Sequence, residues 1–554
     1  MILPVQFRMA PAEPVPVVRQ RNGYASARAS EPGIRLRWRR HGIPKTNARL
    51  RIVHQLATTL LPALTFAVVV NGCKVGPDYQ TPKSALPTGY ASKVAISAPA
   101  NSAAPGEGLA RWWLQFNDSQ LDTLIAEAGA ANHDLRLAQA RVKEARALRG
   151  SVRSSLFPQV DAAGAYQRSR TSENTYQGRL LRGAGVGVTQ DNWQAGLDLN
   201  WELDVFGGTR RSVEATQAGL EAAEDSANGT RIAVLAEVGL GYLDLRGFQK
   251  QLAVAQNNLR AQEQTLTLTR DRFQAGLANE LDTARAEAQV AATAASLPPL
   301  EQGILRAQHR IAVLLGKAPG ELANQLNSTA SIPTAAPMVP VGLPSDLLRR
   351  RPDIRRAERE LAAATARIGV ATAELFPKFY LTGAAGLQSL EAEDFFEGGS
   401  KFWSLGPTFR WPIFSAGKIR QNIRVENARQ EQALIRYEQT VLTSLEEVEN
   451  ALVGFGKEQE RYRELAKSEV ASRRAVTLAN DQFRSGLVDF LSVLEAERTL
   501  FLAQEQLVRS EQVLSQNAVR LYKALGGGWQ EPLQRETIAS AANGPANASM
   551  PSTR

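Results

Sequence analysis

One long pattern occurs twice in this chain, head to tail, so the fold must be one that two similar units can build together. Asp134-Leu135-Arg136 with Ala138 returns as Asp353-Ile354-Arg355 with Ala357, and Leu156-Phe157-Pro158 returns as Leu375-Phe376-Pro377, both at an offset of 219 residues. Phe273-Gln274-Ala275-Gly276-Leu277 recurs as Phe483-Arg484-Ser485-Gly486-Leu487, and Leu315-Gly316 as Leu525-Gly526, both offset by 210. The change of offset puts nine extra residues in the first copy, between Leu156 and Phe273. Four agreements in order mark a duplicated unit of about two hundred residues, far longer than a solenoid repeat.

Each unit reads as a helix, two strands, then two long helices. From Asp118 to Ser154 the spacing of Leu121, Leu124, Ile125, Ala128, Leu135, Ala138, Val142 and Ala145 is helical. Pro158 ends that run, because proline bars the residue before it from the helical region. No proline interrupts Thr209 to Phe273, nor the span between Pro412 and Pro532. A helix over Thr209–Phe273 would be about 100 Å long. The turn at Gly276-Leu277 reverses it into a helix from about Leu281 to Leu315, bent at Pro298-Pro299. Helices of this length cannot bury themselves and must lie side by side as a wall.

The strands alternate. From Trp193 to Val205 every odd position is apolar or small, and Gln194, Gly196, Asp198, Asn200, Glu202 and Asp204 fill the even ones. In the second unit Trp403, Leu405, Pro407, Phe409, Trp411 and Ile413 share one parity. A soluble sandwich gives the same alternation. Three features favour a membrane-spanning sheet: lengths near ten residues, tryptophans near both ends, and charges on the polar face. Segments near 158–169, 193–205, 378–388 and 402–413 give four strands per chain. Open edges cannot be satisfied in lipid, and closed barrels begin at about eight strands, so copies must assemble.

Bulk charge points away from nucleic acid. The net charge is +10, but 11 of the 65 Lys/Arg and only 2 of the 55 Asp/Glu precede Cys73, which leaves 54 against 53 over the rest. Arg49, Arg51 and His54 lead into an uncharged run from Leu56 to Val70, then Asn71-Gly72 and Cys73. That is the plan of a secretory signal, too short to span a bilayer comfortably. Val70-Asn71-Gly72-Cys73 is similar to a bacterial lipobox, with cleavage before Cys73 and lipid on its thiol. Cys73 is the only cysteine, so no disulfide forms within one chain. The four histidines are scattered without metal-ligand spacing. Gly183-Ala184-Gly185-Val186-Gly187 lacks the frame of a dinucleotide site and reads as a loop. Nothing reads as catalytic.

Several stretches together resemble the TolC-like outer membrane factors, specifically the NodT-type lipoprotein branch serving resistance-nodulation-division (RND) efflux pumps. They are Cys73-Lys74-Val75-Gly76-Pro77-Asp78-Tyr79; Trp112-Trp113 with Phe116 and Asp118; Leu343-Pro344-Ser345-Asp346-Leu347-Leu348 running into Arg351-Pro352-Asp353-Ile354-Arg355; and Leu521-Tyr522-Lys523-Ala524-Leu525-Gly526-Gly527-Gly528-Trp529. The resemblance implies a mixed, mostly α fold of two tandem repeats. Three chains of four strands would close a 12-stranded outer-membrane β-barrel, continuous with a long periplasmic α-helical barrel. An equatorial domain would draw on residues around 317–345, 454–470 and 526–536. The chain then divides into a signal and extension (1–72), a lipidated segment (73–117), repeat 1 (118–316), an equatorial connection (317–342), repeat 2 (343–526) and a C-terminal equatorial segment with a disordered tail (527–554).

The same resemblance implies a passive exit duct for small molecules, not an enzyme, lipid-anchored in the outer membrane and reaching into the periplasm. Its partners would be two further copies, a periplasmic adaptor (membrane fusion) protein, an inner-membrane RND pump and outer-membrane lipid, with no nucleic acid and no cofactor beyond the lipid on Cys73. Gly276, Leu277, Gly486 and Leu487 match the turns that adaptors grip; the alternative is that they are only turn residues. Leu491, Glu495 and Arg498 match the periplasmic gate, three and four residues apart on one helical face. Ser492 and Glu495 stand where a two-aspartate filter would have its acids, and an ordinary solvated Glu–Arg pair is the simpler reading. Two alternatives stay open: an outer-membrane component exporting metal ions, protein or a signalling lipid, and a secreted helical scaffold without a pore.

Overall fold

Asp118 starts the helical part for a local reason: its carboxylate accepts hydrogen bonds from the backbone N–H groups of Gln120 and Leu121, filling the N-cap role. The computed structural model describes residues 73–83, 86–92, 105–328, 330–334, 342 and 344–530. The expected signal, part of the equatorial connection and the tail after Gln530 lie outside these residues. A short helix α1 (Pro105–Ala110) and a 3₁₀ turn (Trp112–Phe116) precede α2 (Ser119–Ala131) and α3 (His133–Ser154). The expected single helix over 118–154 is therefore broken at Asn132. Its side chain accepts from the N–H groups of Asp134 and Leu135 and donates to the Leu314 carbonyl at 2.7 Å. In the second unit Arg351, 219 residues later, separates α9 and α10 and donates to the Ala524 carbonyl at 3.0 Å. Leu314 and Ala524 are themselves 210 apart. The same tie recurs with a different donor.

The first unit continues through β1 (Gln159–Arg170), α4 (Tyr176–Gly183), β2 (Thr189–Leu203), α5 (Gly208–Gln274), α6 (Glu280–Ala295) and α7 (Leu297–Leu314). After α8 (Ala323–Leu326), the second runs through α9 (Pro344–Arg350), α10 (Pro352–Ala373), β3 (Lys378–Ser389), β4 (Lys401–Arg410), α11 (Lys418–Arg484) and α12 (Phe490–Ala524). Helices α5 and α11 are 67 residues each, about 100 Å. The break between α6 and α7 falls at Ser296, just before Pro298-Pro299, as expected. Residues 454–470 stay inside an unbroken α11. The glycine-rich run at 183–187 begins at the last residue of α4, a short helix that the alternation did not reveal.

The sheet order is β1-β2-β3-β4, antiparallel throughout. Helices α3, α5, α10 and α11 pack in the same order, each on the next. Strand register puts Val160 opposite Leu199, Leu199 opposite Gly383, and Gly383 opposite Leu405. Directly paired residues share a face, so Tyr166, Trp193, Leu197, Leu381, Trp403 and Phe409 all lie on one side. Asp161, Asp198, Asn200, Glu202, Lys378 and Arg410 lie on the other. The outer edges of β1 and β4 have no strand partner among the described residues.

Strand ends depart from the expected bounds for identifiable reasons. β2 stops at Leu203 because the Asp204 carboxylate turns to cap α5, accepting from the N–H groups of Thr209 and Arg210 at 3.0 and 2.8 Å. β4 stops at Arg410, opposite Lys378, the first residue of β3. Trp411 leaves the strand and donates its indole N–H to the Leu375 carbonyl at 3.0 Å. Trp201 makes the equivalent bond to Leu156 at 3.0 Å. Far from the sheet, the main core centres on Trp112, which stacks on Tyr522 with ring centroids 5.9 Å apart. Gly239 makes room for it, since a Cβ there would lie 2.7 Å from the indole ring.

Candidate functional site

The two helical hairpins end in the same backbone device. Leu277 N–H reaches back to the Arg272 carbonyl at 2.7 Å, and Leu487 N–H to the Gln482 carbonyl at 2.9 Å. Gly276 and Gly486 sit between at φ 74° and 72°, the left-handed position of a Schellman cap that glycine takes without strain. Asn279 and Asp489 then cap the return helices. Hydrogen bonds from the Ser492 hydroxyl and backbone N–H hold the Asp489 carboxyl below the usual carboxylate range. Both caps are satisfied internally, which leaves Leu277 and Leu487 projecting at 68% and 75% exposure.

Beneath the tips a small apolar cluster ties the hairpins together: Leu266 of α5, Ala286 of α6, Phe483 of α11, and Phe490, Val493 and Leu494 of α12. Arg272 lies over the Phe483 ring at 4.5 Å and donates to its carbonyl at 3.2 Å. With one face of α12 buried, the other is left outward. Leu491 is half-buried, and Glu495 and Arg498 are exposed. Neither charge forms an ion pair among the described residues, so the bland Glu–Arg pair is not made within the chain. The three expected residues share one helical face, on which their own chain leaves Glu495 and Arg498 exposed and Leu491 half-buried.

Sequence reasoning missed Glu497, which points inward and accepts a hydrogen bond from the Thr265 hydroxyl at 2.9 Å. Its counterpart in the first unit, Glu287, instead makes an exposed pair with Arg270 at 2.7 Å. Both copies carry glutamate here, so this residue type gave no signal in the sequence. Burial raises the Glu497 carboxyl above the ordinary glutamate value of 4.5, and the Thr265 bond only partly offsets it. A raised carboxyl holds its proton more tightly folded than unfolded. Its contribution to stability is therefore complete below pH 4.5 and is lost as pH rises through the raised value. Hydrogen exchange at the tip, corrected for its intrinsic pH dependence, should show protection falling over that window. In Glu497→Gln, which keeps an acceptor for Thr265, the protection should stay level; an unchanged pH profile would refute the assignment.

At the opposite end of α5, Cys73 is exposed beside the strand–helix junction. Val75 N–H bonds the Phe206 carbonyl at 3.2 Å. Arg211, only 1% exposed, donates to the carbonyls of Val75 and Gly76 at 3.0 Å each and pairs with Asp78 at 2.9 Å. Gly76 takes φ 88°, and a Cβ there would lie 2.4 Å from the Gly369 Cα. Further along, Tyr79 bonds Glu358 at 3.1 Å, and burial pushes its hydroxyl up to about 12. The segment after Cys73 is thus pinned along the helices, with the thiol at the level where the sheet begins.

Comparison with known proteins gives a consistent picture. The profile of the family described as Outer membrane efflux protein matches residues 124–317 and again 343–527. Nodulation protein T of Rhizobium leguminosarum bv. trifolii is 31% identical over 468 residues, covering 84% of this chain and 96% of that protein. The Toluene efflux pump outer membrane protein TtgF of Pseudomonas putida is 33% identical over 475 residues, covering 84% and 96%. Among solved structures, the outer-membrane channel OprN superposes with a TM-score of 0.76 at 39% identity, covering 83% of this chain and all of that one.

Proposed function

The chain belongs to the outer membrane efflux protein family of TolC-like channels, and on that premise we propose that it is the exit duct of a tripartite RND-type efflux system. One observation carries this reading: a four-stranded sheet with one apolar face, one charged face and two open edges, each strand continuous with a helix of the same wall. In lipid those edges must be closed. Three copies supply twelve strands, enough for a water-filled bore. The apolar faces then meet lipid, and Asp161, Asp198, Glu202, Lys378 and Arg410 line the lumen. The helices prolong the tube across the periplasm to the tips. Small-molecule cargo is favoured over protein by the toluene efflux role in TtgF's name. Transport is passive: an inner-membrane pump supplies energy, and an adaptor seats on Leu277 and Leu487.

Closure falls to Leu491, Glu495 and Arg498. Repeated three times around the axis they make an apolar ring and an acidic ring, with Arg498 free to pair with a neighbour's carboxylate. Cys73 carries the lipid anchor, because its place at the foot of the sheet is where acyl chains enter the inner leaflet. Cys73→Ala should abolish incorporation of labelled palmitate while the trimer persists, since the barrel itself holds the membrane. Persisting label would remove the lipid assignment. The function is tested with purified full-length protein in planar bilayers together with a deletion strain. Stepwise conductance and drug sensitisation are expected. A protein that inserts without current would be a scaffold, and the reading would fall.

A further inference from the structure

The two loops at the far end of the sheet, away from the helices, are chemically opposite. The β1–β2 connection, residues 171–188, is flanked and lined by Arg168, Arg170, Arg179 and Arg182, against Glu173 and Asp191. Its helix α4 leaves Tyr176 and Leu180 exposed at 84% and 60%, four residues apart and so on one face. The β3–β4 connection, residues 390–400, carries Glu391, Glu393, Asp394 and Glu397 with no basic residue before Lys401. Phe396 projects from it at 85% exposure and Leu390 at 58%. All four acids are exposed, and among the described residues none of their side chains has a hydrogen bond or ion pair. One loop is basic with an apolar face. The other is acidic with an apolar face.

Within a chain, β2 and β3 are neighbours, so the two loops stand side by side. Even so they share no ion pair among the described residues; Arg170 and Arg182 turn back to Glu173 in their own loop, at 3.3 and 3.4 Å. The tie between the hairpins there is a neutral bond from Gln388 to Asn192 at 3.0 Å. The remaining side of each loop faces an open sheet edge. Closing the barrel puts β4 of one copy beside β1 of the next, and with it the acidic loop beside a basic one.

We infer that the outer mouth is capped by a ring in which the acidic β3–β4 loop of each copy seats against the basic β1–β2 loop of the next. The inference rests on the trimeric duct proposed above. Charge and apolar surface match at once, with Phe396 and Leu390 offered to the Tyr176–Leu180 face. Lipid phosphates would satisfy the arginines but leave four carboxylates without a counter-charge, so a second copy is the better occupant. Exposed ion pairs are individually weak. Such a cap would hold by number, yield to outgoing cargo and loosen as salt screens it.

The test uses full-length protein in outer-membrane vesicles carrying Arg179→Cys with Glu393→Cys, oxidised with copper phenanthroline. Covalent dimers and trimers are expected on denaturing gels for the pair and not for either single variant, and high salt should diminish them. A cross-link within one chain, without gain in mass, would overturn the inference. So would an intact trimer by native mass spectrometry that does not cross-link; if replacing the loop arginines then also released bound lipopolysaccharide, the loop would be a lipid site instead. Absence of a trimer would instead overturn the duct reading itself. As a second measurement, changing the four acids to lysine should raise single-channel conductance, and changing the four arginines to glutamate in the same chain should bring it back. Purely additive effects, without that rescue, would contradict paired loops.

Discussion

Leu277→Asp combined with Leu487→Asp should abolish efflux while leaving the channel intact. Both leucines project at the hairpin tips, 68% and 75% exposed. The bond that each contributes to its turn comes from the backbone N–H, which aspartate retains. The variant therefore changes the surface and not the cap. Seating one such leucine in a partner's groove contributes about 2 kcal/mol, and an aspartate there would add the cost of burying a charge. The proposed trimer would present each tip three times, so the losses would multiply. Co-purification of the adaptor should disappear, and drug sensitivity should reach that of a deletion strain. Conductance in planar bilayers should stay at its usual value. Retained adaptor binding would show that these residues serve only as turns.

The second large effect is expected at the proposed gate. Leu491→Ser with Arg498→Ala should raise single-channel conductance and increase entry of large antibiotics. In the chain Arg498 is exposed, without an ion-pair partner among the described residues, and Leu491 is half-buried beside the tip cluster. The buried side of α12, from Phe490 through Val493 and Leu494, is untouched. Arg498→Ala is a surface change of about 0.5 kcal/mol or less; Leu491 is half-buried, so a melting curve of the assembled variant is recorded alongside the current to separate gating from unfolding. An unchanged current in a correctly assembled channel would remove the gate assignment.

Much of this architecture was legible in the sequence because it rests on periodicity. The proline-free runs became α5 and α11, and the odd-position apolar residues of β2 all fell on one face. What escaped depends on tertiary partners. Asn132 breaks a helical pattern that its neighbours continue, because the broken form lets its side chain grip the Leu314 carbonyl. Asp204 extends the alternation by parity yet belongs to the cap of α5. Trp411 and Ile413 keep the strand's parity past Arg410, where β3 offers no further partner. At the tip, Glu497 looked like any helical glutamate until Thr265 came within reach of it. The proposed gate residues Leu491, Glu495 and Arg498 came from the family resemblance, and spacing only set them on one face of the helix. The fold adds that Glu495 and Arg498 are exposed while Leu491 is half-buried.

Electron cryo-microscopy of the full-length protein in lipid nanodiscs tests the central claim most directly. The expected image is three copies around one axis, with β4 of each hydrogen-bonded to β1 of the next and twelve strands enclosing water. A single copy whose own chain covers both edges and the apolar face of the sheet would contradict it.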